Sequence, residues 1–293
     1  MAALRRILHW ATLAAGTRRE VAGRTRVGEG KVVSSCPGSL LPVVWLLKPQ
    51  VTLRYFCSSL IELGRRMTHA FHPSTGSLAG SCLADRCLWD KLHAQPRLGS
   101  VPTFDWFFGY EEIQGLLLPL LQGAQAACPL RVLDVGCGTS SLCTGLYTKC
   151  PHPVDVLGVD FSPVAVAHMN SILEGGQGQT PLFPGHRASR LHFMQADVQN
   201  LEPVASFSSF QLVLDKGTWD AIARGGLPGA YQALSECLRV LSPQGTLIQF
   251  SDEDPDVRLP CLEQRSQGRT VTVQEIGPFR GITYFAYLVQ GSH

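Results

Sequence analysis

Hydrophobic residues between residue 85 and the C-terminus fall into short apolar runs that alternate with longer amphipathic stretches. Five of the runs have the length of β-strands, at residues 131–135, 154–160, 191–195, 210–215 and 246–251. Helical patterns separate them or precede them, at 85–93, 111–125, 140–150, after Ser162 and at 227–241. This alternation predicts a parallel sheet with helices on both of its faces.

Two further β-rich runs, 270–275 and 283–289, follow each other directly and are joined by a Gly- and Pro-containing segment at 277–281. A link this short predicts an antiparallel hairpin. We expect Pro119 to kink the second helix or to end its first half. Residues 242–245 are expected to form the turn before the fifth strand. The predicted fold class is α/β: a Rossmann-like seven-stranded sheet, mostly parallel, with a C-terminal antiparallel hairpin.

The most informative segment is the end of the first strand, where Asp134-Val-Gly-Cys-Gly-Thr-Ser140 leads into a helix. Two glycines at a strand–helix turn let backbone N–H groups approach a ligand closely. The second strand ends in Asp160, which is placed to accept hydrogen bonds from the hydroxyls of a ribose. The pattern indicates an adenosine-containing cofactor, and a strand–helix turn without a ligand is the alternative.

The glycine pattern also distinguishes between adenosine cofactors. A dinucleotide fingerprint requires a third glycine, and that position is Ser141 here. Asp134 would repel a phosphate and attract the cationic sulfonium of S-adenosylmethionine. The favoured cofactor is therefore S-adenosylmethionine, with S-adenosylhomocysteine as the product, and a nicotinamide dehydrogenase is disfavoured.

Strand ends supply the other candidate ligand contacts, because open α/β sheets bind ligands at the carboxyl ends of their strands. The candidates for cofactor binding are Asp134, Gly136, Cys137, Gly138, Ser140, Asp160, Phe161, Ser162, Asp197 and Val198. Asp197 is expected to accept from the adenine amino group while Val198 covers the ring. Asp215, at the end of the fourth strand, is the candidate group beside the substrate. A helix N-cap is the alternative role for Asp160, Asp197 and Asp215.

Several of these segments carry a resemblance to known enzymes. Residues 134–140 resemble motif I of the seven-stranded S-adenosylmethionine methyltransferases, with Ser140 in place of the last glycine. Residues 215–220, 89–90 and 104–110 resemble the protein-lysine methyltransferases related to the elongation-factor-1A lysine methyltransferases. The resemblance implies methylation of a lysine on a protein substrate, citrate synthase, in the mitochondrial matrix.

An aromatic slot for the acceptor lysine is expected, since the nucleophile must be the neutral amine. Deprotonating a free lysine at pH 7 costs roughly 4.6 kcal/mol, and desolvation lowers that cost. The candidates for the slot are Trp106, Phe107, Phe108, Tyr110 and Trp219, with ordinary core packing as the alternative for 104–110. Asp215 is expected to orient the lysine or accept its proton, and Lys216 to form a local salt bridge or to be modified itself.

The N-terminus has the composition of a targeting segment. Residues 1–19 contain four arginines and no acidic residue, with apolar residues on one helical face. We therefore interpret residues 1–30 as a mitochondrial presequence, with a disordered basic tail as the alternative. Residues 31–76 have no assignable fold and are expected to be disordered or an insertion. The methyltransferase domain is expected to span residues 77–293.

Charge and cysteine spacing exclude several other classes. Residues 77–293 hold 14 Lys and Arg against 20 Asp and Glu, which gives nucleic-acid binding little electrostatic support. No apolar run reaches the length of a membrane span. The ten cysteines show no Cys-x-x-Cys pair and no metal-ligand spacing, so free thiols and no metal are expected. A small-molecule methyltransferase and a non-catalytic cofactor-binding module remain as alternative functions.

Overall fold

The computed structural model of the chain describes residues 83–95, 103–175 and 180–291. The predicted presequence at 1–30 and the unassigned segment at 31–76 lie outside these ranges. Within the described ranges, two helices precede the sheet: α1, Arg86–His93, and α2, Tyr110–Leu121. Pro119 lies inside α2, which ends two residues later, so the predicted continuation to residue 125 is wrong. A proline has no backbone N–H to donate to the carbonyl four residues earlier, which weakens the last turn of this helix.

The central sheet has seven strands in the order β3-β2-β1-β4-β5-β7-β6. Their bounds are β1 Leu130–Val135, β2 Val154–Asp160, β3 Arg190–Gln195, β4 Phe210–Lys216, β5 Leu241–Ser251, β6 Thr270–Phe279 and β7 Ile282–Gln290. Strands β1 to β5 pair in parallel, and β7 is antiparallel to both β5 and β6. The predicted fold class is confirmed.

Five more helices connect or follow the strands: α3 Ser141–Lys149, α4 Pro163–Leu173, α5 Thr218–Ala223, α6 Leu227–Val240 and α7 Pro255–Arg265. Ser162 caps α4 by accepting from Ala165 N–H, and Pro163 occupies its first turn as predicted. Helices α5 and α7 were not predicted. The first has only six residues, which is too short for a helical period to show in the sequence.

Each face of the sheet has its own hydrophobic core. Val132 of β1 packs in one core with residues of α2, α3 and α4, whereas Leu133 and Val135 pack in the other with residues of α6. Successive side chains of a strand point to opposite faces, so β1 serves both cores. The sheet is thereby held in place from both sides, and its strand ends occupy fixed positions.

Two predicted turns belong to strands instead. Leu241 pairs with Phe210 and Thr246 pairs with Leu212, so residues 242–245 form an irregularity within β5 and not a turn before it. Strand β6 likewise runs to Phe279, and the register shift after Ile276 absorbs part of the predicted loop. A bulge keeps pairing on both sides of the extra residues, which the turn-forming sequence alone did not reveal.

In the described ranges, no helix is long and apolar enough to cross a membrane. The seven cysteines within them, at positions 87, 128, 137, 143, 150, 237 and 261, are free thiols.

Candidate active site

A cavity lies at the carboxyl ends of the central strands. Residues from the ends of β1 to β4 line it: Asp134, Gly136, Cys137, Gly138, Asp160, Phe161, Ala196, Asp197, Val198, Lys216, Gly217 and Thr218. The lining also includes aromatic side chains from α1 and from residues 103–109. The structure therefore brings nine of the ten predicted cofactor residues to one place; the exception, Ser162, is outside the lining.

The turn after β1 has the geometry that a close ligand approach requires. Gly136 and Gly138 have φ values of +62° and +51°, in the left-handed region that favours glycine. A Cβ at Gly136 would lie 2.1 Å from Thr218 Oγ1, so a side chain there would displace the start of α5. Cys137 N–H donates to the Val159 carbonyl (3.0 Å), which fixes the turn to β2.

Asp160 is the acid at the end of β2 and is 5 % exposed. Its Oδ2 accepts from Gly138 N–H and its Oδ1 from Ser162 N–H, each at 2.8 Å. A carboxylate has about four acceptor positions, so two remain for a ribose diol. Burial raises the pKa of this carboxyl, while the two backbone N–H groups lower it.

The end of β3 offers a place for a planar ring. Val198 is buried and Asp197 is exposed, and both line the cavity together with Phe161. Asp197 Oδ1 accepts from Gln199 N–H at 2.9 Å, which orients the carboxylate. An apolar wall beside a carboxylate suits adenine and its amino group.

Asp134 is the acid at the end of β1 and is 2 % exposed. Its Oδ2 accepts from the Cys143 thiol (3.1 Å), a weak donor. Burial raises the pKa of Asp134 to about 7, and the nearby charge of Lys216 lowers it. A cationic ligand group beside this carboxylate would stabilise its charged form, and a phosphate would not. The carboxylate of Asp134 therefore fits a sulfonium as its neighbour.

Two predicted serines have structural partners. Ser140 caps α3 by accepting from Leu142 N–H (3.1 Å), and its Oγ donates to Asp105 Oδ1 (2.6 Å) while it lines the cavity. Ser162 caps α4, and its Oγ donates to Asp90, so the structure does not bring this hydroxyl to the cavity.

The structure does not place the Asp215 carboxylate along the cavity. Oδ1 accepts from Thr218 N–H (2.9 Å) and Trp219 N–H (3.1 Å), and Oδ2 accepts from Gln249 Nε2 (2.7 Å). These bonds hold the first turn of α5. Asp215 thus has the alternative role considered for it, that of a cap at the N-terminus of a helix. Burial raises the pKa of Asp215 to about 6.

The predicted aromatic slot does not assemble as one group. Trp106 lines the cavity, but Tyr110 is 1 % exposed in the core against α3. Trp219 is buried, and the guanidinium of Arg258 lies 3.9 Å from its ring centroid. These two side chains face the cores because their positions on α2 and α5 point inward.

Sequence reasoning missed part of the cavity wall. Trp89 and His93 on α1 line it with Phe104 and Trp106, and the rings of Trp89 and Trp106 meet edge to face at 5.6 Å. The aromatic residues at position 89 and in the segment 104–108 were the sequence signal that could have indicated this part of the wall. Within the described residues, no group of three or more His, Cys, Asp or Glu is arranged to hold a metal ion.

Fold and cavity together define a class of protein. The sheet order, the glycine turn after β1 and the buried acid after β2 are those of a seven-stranded S-adenosylmethionine-dependent methyltransferase. A family described as "Methyltransferase domain" matches residues 129–270.

Curated relatives narrow the class. The mitochondrial citrate synthase-lysine N-methyltransferase of Homo sapiens is 82 % identical over 234 residues, covering 80 % of this chain and 98 % of that protein. The protein of the same name in Danio rerio is 40 % identical, over 70 % of this chain and 82 % of its own length. EEF1A lysine methyltransferase 4 of Bos taurus is 28 % identical, over 69 % and 73 %.

The chain belongs to the citrate synthase-lysine N-methyltransferase family. It is thus an S-adenosylmethionine-dependent protein-lysine methyltransferase, and the predictions of activity and cofactor are confirmed. The relatives also confirm the predicted mitochondrial location.

Proposed function

We propose that the chain methylates a lysine of citrate synthase in the mitochondrial matrix. The observation that carries the proposal is the pairing of two buried carboxylates, Asp134 and Asp160, in one cavity. The first suits a sulfonium and the second suits a ribose diol. The names of the close relatives support citrate synthase as the protein that presents the lysine.

Each wall of the cavity has a proposed role toward the cofactor. Asp160 accepts from the ribose hydroxyls, and Asp197 accepts from the adenine amino group while Val198 covers the ring. The backbone at Gly136 and Gly138 faces the methionine part, with Cys137 and Ser140 holding that turn in shape. The strand order supports these assignments, because β1, β2 and β3 lie side by side.

The acceptor must arrive as a neutral amine. A free lysine with a pKa of about 10.4 requires roughly 4.6 kcal/mol for deprotonation at pH 7. Trp106, Phe104 and Trp89 surround the cavity with apolar surface, which disfavours the ammonium form. When bound, S-adenosylmethionine supplies an electrophilic methyl group, and S-adenosylhomocysteine is the product.

Positioning carries most of the remaining chemistry. Methyl transfer is an in-line displacement, so holding the amine at the correct distance and angle lowers the barrier. Trp106 is the slot residue that the cavity supports, and its ring face can attract a methylated ammonium. Asp215 has three hydrogen-bond partners within the fold, so we assign it to α5 and not to proton transfer.

The test is intact-mass spectrometry of recombinant citrate synthase incubated with the purified chain and S-adenosylmethionine. We expect a mass increase of one or more methyl groups, and none with Asp160→Ala. The matched control is Asp155→Ala, at the opposite end of β2, which should retain transfer. Dialysed matrix extract with labelled cofactor distinguishes the alternatives: label in small molecules or in another protein would contradict the proposed substrate. Tight binding of S-adenosylhomocysteine without any transfer would instead favour a binding module.

A further inference from the structure

The backbone of the aromatic segment 103–109 contains a strained turn. Phe107 has a φ of +69°, which a side chain other than glycine rarely adopts. Phe108 N–H donates to the Trp106 carbonyl at 2.9 Å, so residues 106–108 form a γ-turn of the rare type with positive φ. Such a conformation persists only where the surrounding structure holds it.

The buried ammonium of Lys216 supplies that restraint. Its Nζ lies 2.7 Å from the Trp106 carbonyl and 2.9 Å from the Phe108 carbonyl, which flank the strained residue. The third partner is Asp105 Oδ1 at 3.3 Å. An ammonium has three N–H donors, and each finds an acceptor in this one segment. The side chain of Lys216 is 5 % exposed, so water hardly competes for these bonds.

Neighbouring residues fit the same segment onto the ends of two strands. A Cβ at Gly217 would lie 3.0 Å from Trp106 Cδ1 and 3.1 Å from Phe107 Cε2, so glycine leaves room for both rings. Asp105 accepts from Ser140 Oγ (2.6 Å) and thereby ties the segment to the turn after β1. The segment is thus attached both to the cofactor side and to β4.

The attachment point lies on the side from which the acceptor approaches. Strands β3, β2 and β1 carry the acids assigned to adenine, ribose and sulfonium, and β4 is the next strand in the sheet. The cofactor assignments leave the β4 end of the cavity for the incoming amine. Trp106 and Lys216 both line the cavity there.

We propose that Lys216 is a positioning residue for methyl transfer: it chelates the carbonyls of Trp106 and Phe108 and so holds the Trp106 ring at the acceptor side of the cavity. The inference rests on the proposed function. Lys216 is neither the nucleophile nor a site of modification, because its three donors are engaged. Burial lowers the pKa of Lys216, and the negative charges of Asp105 and Asp134 oppose that shift.

The test is Lys216→Met, which keeps the length of the side chain and removes the three donors. We expect amide hydrogen exchange at Phe108 to accelerate about tenfold or more, because its γ-turn loses its restraint. Exchange at Gly109 and Tyr110 should change little, since these N–H groups donate to Glu112 and Ser141. The kcat on citrate synthase should fall about 100-fold, whereas the Kd for S-adenosylhomocysteine stays within about threefold.

Lys149→Met is the matched control, because Lys149 pairs with Glu111 at the surface and lies outside the cavity. It should leave Phe108 exchange and turnover unchanged. Lys216→Arg keeps a cation and should recover part of the hydrogen-exchange protection at Phe108 and part of the turnover. If Lys216→Met does not fold, the same two measurements on Lys216→Arg test the inference.

Unchanged exchange at Phe108, or a loss of cofactor affinity as large as the loss of turnover, would overturn the inference. The exchange and binding measurements do not need citrate synthase. If wild-type protein fails to methylate citrate synthase while Phe108 responds as expected, the proposed substrate is wrong and the chelation stands.

Discussion

The ends of β2 and β4 look alike in sequence and differ in the structure. Asp160 is the last residue of β2 and Asp215 is the second-last residue of β4, and their carboxylates are almost equally buried, at 5 % and 4 % exposure. Each also accepts two hydrogen bonds from backbone N–H groups. Asp160 nevertheless borders the cavity, whereas Asp215 takes a third bond from Gln249 of β5 and lies away from it.

The difference shows that an acid at a strand end is not by itself a ligand contact. What matters is whether acceptor positions remain and whether they face the cavity. On the β2 side the neighbouring turn contains Gly136 and Gly138, and it lines the cavity together with Asp160. On the β4 side a short helix begins at once, and its first N–H groups use the carboxylate as a cap.

The tryptophans of the two regions should respond oppositely to truncation. Trp219→Ala should lower the free energy of unfolding by about 3–5 kcal/mol, because it empties a core position beneath Arg258. Trp106→Ala should cost less stability, since this side chain is only half-buried, but should lower turnover strongly. Urea denaturation and a methylation assay on both variants check the pair. Equal stability losses would contradict the placement of Trp219 in the core and Trp106 at the cavity.

Asp160→Ala should weaken S-adenosylhomocysteine binding about 100-fold or more in a calorimetric titration. It removes the acceptor proposed for the ribose diol and also the bonds from Gly138 and Ser162 that shape the turn. Asp155→Ala, on the same strand, is the control and should bind normally. If affinity survived the loss of the Asp160 carboxylate, the ribose assignment would have to move to another residue.

Asp134→Asn should weaken the binding of the methyl donor more than the binding of its demethylated product. We expect the affinity for S-adenosylmethionine to fall about 30-fold and that for S-adenosylhomocysteine less than threefold, because the second lacks the sulfonium charge. Parallel titrations of both compounds measure the ratio. Equal losses for the two would show that Asp134 supports the turn and does not face the sulfonium.

The same variant should change the pH dependence of stability. Burial raises the pKa of Asp134 from its ordinary value of 3.8 to about 7 in the folded protein. Between these values the folded state binds more protons than the unfolded chain, so its free energy of unfolding falls as pH rises, by up to about 1.4 kcal/mol per pH unit. Asp134→Asn should flatten that slope in the cofactor-free protein. A slope identical to wild type would contradict the raised pKa.

Asp215→Asn should have the smallest effect on catalysis. We expect a loss of about 1 kcal/mol in stability, because one cap or Gln249 bond is weakened, and a change in kcat of less than about threefold. Circular-dichroism melts and a methylation assay provide the two values. A 100-fold loss of turnover with unchanged stability would restore the prediction that Asp215 orients or deprotonates the lysine.

The sequence predicted the parts of the molecule that depend on local pattern. Apolar periodicity predicted the positions of the strands along the chain and the closing hairpin. The spacing of the glycines predicted the turn after β1. The sequence also placed Asp160 and Asp197 at strand ends that meet at one edge, since parallel strands share a direction. The predicted aromatic slot does not assemble as one group, because residue type does not reveal which way a side chain on α2 or α5 points. Tyr110 and Trp219 face the cores.

The α/β class, the glycine turn after β1 and the acids near it could be predicted from the sequence, because these features are encoded within a few neighbouring residues. The sequence did not reveal which acids keep free acceptor positions, which tryptophan reaches the cavity or which carbonyls Lys216 contacts. Those outcomes depend on contacts between distant segments, such as the bond from Lys216 to Trp106, 110 residues earlier in the chain. Burial converts such contacts into fixed geometry, since a buried polar group must find its partner within the fold.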